Sequence, residues 1–360
     1  MKQVDTLMQE AVDTGVFPGA VALAARKNKI VYHKAFGCLD HFKNKVVHRD
    51  TVYDLASLTK PLATAAAAMH LADRGKLDLN APLGRLLPEL EGSEKAGLCV
   101  EHLLCHNAGL PAWRPYFREL NSLPADRRKK RLHQLLAKEP LICLPGRKTL
   151  YSDVGFMLLQ WVVERTAGTS LDGYVSRNLY LSLNISDLFF LPNRSQNSSV
   201  PADRELAASG VDENNRAVYG RVNDENARAM GGVAGHAGLF GTAAAVFDFL
   251  CHLLEIRSGT AEKGLFSRAA VERFLTIPPD AGRTPGFDVP EKQNSSSGRF
   301  FPRGTSVGHL GYTGTSFWVE MRREIMVILL SNRICTDPDS RKIKDFRPRF
   351  HDAVMNCLTA

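Results

Sequence analysis

The chain has little of what a membrane-spanning or secreted protein requires. Its longest candidate apolar run, the Ala-rich stretch 61–69, meets His70 and Asp73 before it reaches the roughly 20 residues that a bilayer-spanning helix needs. The first 20 residues contain three acidic side chains in place of the uninterrupted hydrophobic segment of a signal peptide. These features predict a cytoplasmic protein with no membrane partner.

Closely spaced cysteine pairs are also missing. The seven cysteines are odd in number, widely scattered and never arranged as Cys-x-x-Cys. This pattern argues against both a disulfide framework and a structural zinc site. We predict reduced thiols that are mostly buried.

Positive charge is in excess, with a formal net charge of +8. Five consecutive basic residues at 127–131 lead into a stretch with helical spacing, which favours a solvated helix face over a nucleic-acid-binding surface. A mild positive bias also suits a substrate that carries carboxylates. We therefore expect a small-molecule substrate and no nucleic-acid partner, and the sequence specifies no oligomeric state.

The two ends of the chain carry β-hairpin patterns. In the first, two apolar runs within 19–37 flank a turn-like Lys-Asn-Lys, and in the second, strands at about 315–321 and 324–331 flank a charged turn. Apolar spacing of three and four predicts helices over 3–14, 58–74, 99–105, 126–137, 154–167 and 242–256. The last segment is predicted to be helical after Pro348.

These patterns predict an α/β (α+β) chain in which an antiparallel sheet, assembled from both ends, is flanked by helices and joined to a second, mostly helical lobe. We place the sheet part at approximately 1–80 and 240–360 and the helical part at approximately 81–239. A cleft between two such parts is a usual place for a small-molecule site. The stretch 278–300, rich in Pro, Gly, Asn and Ser, is the one long loop-like segment, and loops of that length are often functional.

Ser57 and Lys60 open a helical pattern that closes at Gly75. Since proline is tolerated only in the first turn of a helix, Pro61 places the helix start near Ser57. Residues three apart share a helix face, which brings the Lys60 amine to the Ser57 hydroxyl, and the positive end of the helix dipole favours the deprotonated forms of both. An amine of lowered pKa can then remove the serine proton and create a nucleophile. The alternative is an N-cap serine beside a surface lysine.

Two further triplets accompany this pair. Tyr151 and Asp153 form a Tyr-x-Asp triplet immediately before another helical pattern, where Asp153 could also serve as the N-cap. His309 and Gly311 form a His-x-Gly triplet before the C-terminal hairpin strand. The glycine allows close backbone approach to a ligand.

Ser-x-x-Lys, Tyr-x-Asp and His-x-Gly, in this order and at these separations, resemble the class C β-lactamase, penicillin-binding-protein and family VIII esterase superfamily. The resemblance extends over nearly the whole chain, through the blocks at 102–111, 222–243 and 286–290. These extra blocks look most like cytoplasmic β-lactamase-related serine hydrolases. The resemblance implies a β-lactamase/transpeptidase-like fold over 1–360 as a single domain.

The resemblance also implies an acyl-enzyme mechanism that needs no metal and no organic cofactor. Ser57 attacks a carbonyl, Lys60 and Tyr151 share the proton transfers, and Tyr151 protonates the leaving group. The backbone amides of Ser57 and Tyr312 form the oxyanion hole. Asp153, His309, Gly311 and His236 are the expected substrate-binding residues.

Two departures from the family pattern bear on the substrate. Asp153 replaces the asparagine of Tyr-x-Asn and can pair with Lys60 because a carboxylate only accepts hydrogen bonds. His309 replaces the lysine of β-lactamases with a group that is largely neutral near pH 7. Both changes weaken the case for β-lactam carboxylate binding and fit esterase-like relatives.

Other readings stay open for several residues. Asp224, Glu225 and His236 are metal-ligand types, although their spacing matches no zinc motif; the alternatives are a cleft-lining loop or a structural one. His106 is expected to be a hydrogen-bonded core histidine.

We therefore expect a serine hydrolase of the β-lactamase/esterase type that acts on a small ester or amide and possesses, at most, weak activity on β-lactam-like substrates. The first alternative is a D-alanyl peptidase or amidase on cell-wall peptides. The second is a non-catalytic module that binds peptidoglycan fragments.

Overall fold

The computed structural model describes residues 1–192, 204–261, 264–277, 283–336 and 340–359. Its strands are β1 (Gly19–Arg26), β2 (Lys29–Gly37), β3 (Tyr53–Asp54), β4 (Leu188–Phe190), β5 (Gly210–Val211), β6 (Ala217–Val218), β7 (Leu239–Gly241), β8 (Arg283–Thr284), β9 (Phe287–Asp288), β10 (Ser306–Leu310), β11 (Ser316–Glu320) and β12 (Ile325–Ser331).

Its α-helices are α1 (Lys2–Asp13), α2 (Ala66–Asp73), α3 (Leu83–Leu86), α4 (Val100–Leu104), α5 (Phe117–Leu120), α6 (Ala125–Lys138), α7 (Asp153–Ala167), α8 (Leu171–Val175), α9 (Glu225–Ala229), α10 (Ala243–Ser258), α11 (Arg268–Leu275) and α12 (Lys342–Thr359). Short 3₁₀ turns lie at Ala56–Leu58, Pro88–Leu90, Leu181–Leu183 and Arg333–Cys335, and π-helical turns lie at Lys60–Ala65 and Ser176–Tyr180.

The main sheet is antiparallel, with the strand order β2-β1-β12-β11-β10-β9-β8. The N-terminal β1 pairs along its length with β12, from Ala20 opposite Ser331 to Arg26 opposite Ile325. The predicted sheet assembled from both ends of the chain is therefore confirmed. Because β12 is covered on both faces, it reads as a continuous apolar run.

Side chains of β1 alternate between two hydrophobic clusters. Val21 and Leu23 pack into the large core shared with α2, α7 and α10, while Ala20, Ala22 and Ala24 face α1 and α12. This two-residue period places helices on both faces of the sheet. The larger cluster extends into the helical segments between β3 and β7, so one core supports both parts of the molecule.

The predicted helix over 58–74 is divided into three segments. Ala56–Leu58 is a 3₁₀ turn, Lys60–Ala65 is π-helical, and α2 follows. Pro61 lies in the first turn of the π segment, as the sequence argument requires, because its ring nitrogen cannot donate to the Ser57 carbonyl. Single π turns of this kind are frequent at functional sites.

The C-terminal helix differs from its prediction. α12 begins at Lys342, six residues before Pro348, and includes the proline in its interior. An interior proline costs about 3 kcal/mol, but the turn that precedes it buries Ile343 and Phe346 in the core. Burial of two large apolar side chains offsets a cost of that size.

The predicted loop 278–300 is only partly irregular. Residues 278–282 lie outside the described residues, and the next stretch forms the β8–β9 hairpin at the edge of the main sheet. All seven cysteines are free thiols, but only Cys335 is fully buried and the other six are half-buried. Among the described residues, no helix has both the length and the apolarity needed to span a lipid bilayer.

Candidate active site

A strained turn presents Ser57 at the end of β3. Ala56 has φ +48°, a left-handed conformation that is unfavourable for a residue with a Cβ. The buried Asp54 carboxylate holds the turn, since one oxygen accepts a hydrogen bond from Ala56 N at 2.9 Å and the other accepts one from Asn223 N at 2.7 Å. Burial raises the pKa of Asp54 to about 6.

The turn after β10 is fastened to the same segment. Thr313 Oγ1 donates to Asp54 O at 2.8 Å, and Thr315 Oγ1 donates to Leu55 O at 3.1 Å. A Cβ on Gly311 would lie 2.8 Å from Leu55 O and far inside van der Waals contact with Thr315 Oγ1. The glycine therefore lets two backbone segments of the protein approach each other. The sequence argument expects Gly311 to allow a ligand to approach the backbone, and in the structure the atoms close to it belong to Leu55 and Thr315 of the protein itself.

Lys60 lies at the centre of the site with no exposed surface. Its Nζ lies 3.0 Å from Ser57 Oγ, 2.9 Å from the His236 carbonyl oxygen and 2.7 Å from Asp153 Oδ1. Burial by itself lowers the pKa of Lys60, but the Asp153 carboxylate and Tyr151 outweigh it, so the net shift is upward. The sequence argument expects a lowered pKa, and the structure shows the opposite because Asp153 is so close.

Tyr151 is held between aromatic and cationic groups. Its ring stacks on His106 at a centroid distance of 4.7 Å, and the Lys60 Nζ and the Arg283 guanidinium lie 4.7 Å and 5.1 Å from the ring centroid. Burial raises the pKa of Tyr151 against the opposing effect of Lys60. These pKa directions favour a neutral Tyr151 phenol beside the Lys60 ammonium group.

The residues next to Tyr151 fix its backbone. His106 is buried, as expected, and its Nδ1 accepts a hydrogen bond from Ser152 N at 2.9 Å. Ser152, not Asp153, is the N-cap of α7, because its hydroxyl accepts from Gly155 N at 2.9 Å. Asp153 is the first helical residue, and its side chain is free to reach Lys60.

His309 lies on β10 and is almost completely buried. Its Nδ1 donates to the Leu310 carbonyl oxygen at 2.9 Å. Burial, followed by the positive charges of Lys60 and Arg283, lowers the pKa of His309 well below its usual value. The imidazole is therefore neutral at pH 7.

Two cavities meet at Ser57. The first, of about 550 Å³, is lined by Ser57, by the basic side chains Arg283, His309, Arg333, Lys344 and Arg347, by the aromatic side chains Tyr151, Tyr312 and Trp318, and by the carboxylates of Asp288 and Glu291, together with smaller residues. The second, of about 590 Å³, is lined by Ser57, Trp113, Tyr151, Asp153, Asn223, Asp224, Glu225, Arg228 and Tyr312 together with small residues. Ser57 and Tyr312, whose amides are the predicted oxyanion hole, line both cavities.

The 222–243 block contributes both lining and support. Asp224 and Glu225 line the second cavity, whereas the His236 side chain lies behind it and pairs with Asp224 Oδ1 at 2.8 Å. The His236 carbonyl oxygen, on the other hand, accepts a hydrogen bond from Lys60 Nζ. Within the described ranges, no three His, Cys, Asp or Glu side chains converge as metal ligands would.

The sequence reasoning missed several charged residues of the site. Arg283 and Asp288 form an ion pair on the β8–β9 hairpin, in a stretch that the sequence suggests is a loop. Arg347 is 6% exposed and lies in α12 four residues after Ile343 and three before Phe350. Ile343, Arg347 and Phe350 share the buried face of α12, and a charged residue at helical spacing among apolar ones is the sequence signal that could have identified Arg347.

Comparison with protein families matches residues 4–347 to the family described as Beta-lactamase. One curated relative is the "Putative D-alanyl-D-alanine carboxypeptidase" of Escherichia coli (strain K12), which is 28% identical; the alignment covers 92% of this chain and 82% of the relative.

Solved structures show the same fold. The octameric penicillin-binding protein homologue from Pyrococcus abyssi superposes with a TM-score of 0.75 and 19% identity, over 99% of this chain and 77% of that one. EstCE1, a hydrolase with promiscuous acyltransferase activity, has a TM-score of 0.72 and 24% identity, over 96% and 98% of the two chains. These similarities confirm the expected β-lactamase/transpeptidase-like architecture.

Proposed function

The chain belongs to the beta-lactamase family and is a serine hydrolase of that family, and from this premise we propose that it forms an acyl-enzyme on Ser57 and hydrolyses small esters or amides. The observation that carries the proposal is the position of Lys60 Nζ, 3.0 Å from Ser57 Oγ and 2.7 Å from Asp153. A serine hydroxyl within hydrogen-bonding reach of a proton-transfer group is the arrangement that nucleophilic catalysis requires.

The protonation states suggest a relay in which no group needs to be deprotonated at rest. In the acylation step, Ser57 Oγ bonds to the substrate carbonyl carbon while three protons move together. Tyr151 gives its phenol proton to the leaving-group atom, Lys60 gives an ammonium proton to the tyrosine oxygen, and the lone pair freed on Lys60 Nζ takes the Ser57 proton. The site ends the step with the ammonium and phenol that it began with. Water then enters the place of the leaving group, and the same relay in reverse releases the acid.

The tetrahedral intermediate carries a negative oxygen that needs donors. We assign these donors to the backbone amides of Ser57 and Tyr312, which belong to two segments fastened together by the Thr313 and Thr315 hydroxyls. Loss of one such donor typically costs about a hundredfold or more in rate.

Small esters and amides fit the first cavity, which holds about 550 Å³ and has a neutral histidine at the β10 position. A neutral acyl group needs no charge partner at His309, and the nearby Arg283 is already paired with Asp288.

The first test is intact-mass spectrometry after treatment with a fluorophosphonate probe, together with hydrolysis of a p-nitrophenyl ester. Ser57→Ala is expected to lose the adduct and at least about a thousandfold in kcat/KM. Ser122→Ala, which removes an exposed hydroxyl, is the matched control and should retain both. Absence of an adduct on the unaltered chain would contradict the acyl-enzyme and favour a non-catalytic binding module.

A second candidate function is cleavage of D-alanyl peptides, and Arg347 favours it. This guanidinium lines the Ser57 cavity, and one of its Nη atoms donates to Gly311 O and to Thr315 O, each at 2.7 Å. Its Nε has no hydrogen-bond partner, and among the described residues no carboxylate is paired with it. Burial and the neighbouring Arg333 lower the pKa of Arg347 to about 9, so the group is cationic at pH 7. A substrate carboxylate would compensate this charge, and the E. coli relative is named for such a peptidase.

One pair of substrates distinguishes the ester or amide hydrolase from the D-alanyl peptidase. An N-acylated peptide that ends in D-Ala-D-Ala is compared with the same peptide carrying a C-terminal amide. Recognition of the carboxylate by Arg347 predicts at least about a tenfold higher kcat/KM for the free acid, since one charge-assisted hydrogen bond contributes about 1.5–3 kcal/mol. Equal hydrolysis of both peptides, or of neither, would eliminate the D-alanyl peptidase.

A further inference from the structure

A third cavity, of about 1000 Å³, adjoins the catalytic one. It lies between the loop 290–303 and the outer face of α12. Glu291, Ser295 and Lys344 line both this cavity and the Ser57 cavity. A ligand bound with its carbonyl at Ser57 can therefore extend into the third cavity.

The lining of this cavity is strongly basic. Six cationic side chains contribute to it, and they are Lys292, Arg299, Arg303, Arg341, Lys344 and Arg349. Three carboxylates accompany them, from Glu291, Asp345 and Asp352. The cavity therefore has an excess of three positive charges.

The wall of the cavity is fastened to the helix by specific contacts. Arg299 N donates to Asp352 Oδ1 at 2.6 Å, the Arg299 guanidinium bonds to the other oxygen at 2.9 Å, and His351 Nδ1 lies 2.7 Å from Ser296 O. Gly298 has φ +80°, and a Cβ there would collide with the Asp352 carboxylate. The shape of the cavity is therefore preformed.

Most of the cationic side chains do not form the contacts that attach the loop 290–303 to α12. Asp352 is committed to Arg299, but among the described residues Lys292, Lys344 and Arg349 form no ion pair. Like charges that converge on a concave surface repel one another and focus a positive potential into the cavity. A multiply charged anion would neutralise that potential, while a single carboxylate would leave most of it uncompensated.

We propose that the third cavity binds a phosphate or diphosphate group on the distal part of an acyl substrate whose carbonyl lies at Ser57. Arginine and lysine side chains together match phosphate oxygens in charge and in hydrogen-bond geometry. The volume suffices for a group of that size. This inference rests on the proposed Ser57 hydrolase and names the kind of substrate that it serves best.

A matched pair of thioesters tests the proposal. Butyryl coenzyme A carries phosphates, and butyryl-pantetheine presents the same acyl thioester on the same pantetheine arm without the phosphates and the adenosine. The expected kcat/KM ratio favours the phosphate-bearing thioester by at least about tenfold at low ionic strength and falls as salt screens the charges. A ratio near one that does not respond to salt would overturn the proposal.

Charge-reversal variants test whether the preference for the phosphate-bearing thioester arises in the third cavity. Lys292→Glu with Arg349→Glu should reduce the ratio by about tenfold, and the milder Lys292→Gln with Arg349→Gln should reduce it less. Arg127→Glu with Lys130→Glu changes the same charge on the exposed face of α6 and should preserve the ratio. An equal reduction in both double variants would show a general charge effect and overturn the assignment.

Calorimetric titration with pyrophosphate separates the site from the chemistry. Binding by the unaltered chain that weakens in the Lys292/Arg349 variant supports the cavity even if neither thioester is hydrolysed, an outcome that would count against the Ser57 hydrolase alone. Competition by pyrophosphate against the coenzyme A thioester identifies the substrate's phosphate as the bound group. Unchanged pyrophosphate binding in the variant would overturn the proposal.

Discussion

The charge on Lys60 depends chiefly on Asp153, with Tyr151 as a second neighbour that raises its pKa. Asp153 Oδ1, at 2.7 Å, stabilises the ammonium form in a place where burial by itself would favour the neutral amine. The relay that we propose uses this ammonium as the proton donor to Tyr151. Asparagine at this position would leave the desolvation of Lys60 unopposed by a carboxylate.

Asp153→Asn is therefore expected to lower the pKa of Lys60. Since the relay requires the ammonium, the alkaline limb of the pH profile of kcat/KM should move to lower pH in this variant. Steady-state ester hydrolysis from pH 5 to 10 measures the shift, and Asp126→Asn, on the exposed face of α6, should leave the profile in place. If instead the acidic limb moves down and activity at neutral pH rises, Lys60 acts as a neutral base and the relay is wrong.

Arg283 and His106 both contact the Tyr151 ring. The guanidinium lies 5.1 Å from the ring centroid, and the imidazole stacks at 4.7 Å. Neither side chain touches Ser57 in the hydrogen bonds of the described residues. Both side chains therefore pack against the phenol to which the proposed relay assigns the leaving-group proton.

At the scale of elements, the site depends on how closely β10 approaches the Ser57 turn. Gly311 is the point of closest approach, and its conformation is not left-handed, so what it contributes is space. The Thr313 and Thr315 hydroxyls then bond across the junction to Asp54 and Leu55. The predicted oxyanion amide of Tyr312 follows directly in the chain.

Gly311→Ala is expected to displace this junction. The added Cβ must push Leu55 or Thr315 away, which should cost about 1–3 kcal/mol of stability and about tenfold or more in kcat/KM. Gly304→Ala is the matched control, because a Cβ there meets no atom within 4 Å. Urea unfolding and ester kinetics measure the two effects, and an alanine at 311 that behaves like the control would refute the argument.

At the scale of the whole molecule, one hydrophobic core joins the sheet to the helical segments. Leu23 and Ile328 of the sheet belong to the same cluster as Val100 and Trp161 of the helical part. A shared core predicts a single cooperative unfolding transition, since neither part can expose its surface alone.

Three tryptophans make this expectation measurable. Trp113 and Trp161 report on the helical part, and Trp318 reports on β11. Urea unfolding of Trp113→Phe/Trp161→Phe and of Trp318→Phe, each followed by fluorescence and by far-ultraviolet circular dichroism, should give coincident midpoints by both probes within each variant. Two separated transitions would show that the parts unfold independently.

Local patterns in the sequence determined much of this fold. Apolar runs that flank a turn within 19–37 and 315–331 predict the two hairpins, and the position of these strands at the two ends of the chain predicts one sheet assembled from both. Pro61 predicts the place of Ser57 at a helix entrance. The order of the three motifs indicates the family. In the structure, each motif lies where a strand or helix begins or ends beside the cleft.

Only the tertiary structure decided the electrostatics. Three features arise between segments that are distant along the chain: the raised pKa of Lys60, the position of the Arg347 guanidinium on the Gly311 and Thr315 carbonyls, and the basic third cavity. A one-dimensional pattern states which charges exist but not which of them lie within a few ångströms of one another in a region of low dielectric constant, where such pairs have their effect. The sequence thus identifies the candidate reacting residues, Ser57, Lys60 and Tyr151. Their protonation states, and the extension of the cleft into the third cavity, depend on the folded chain.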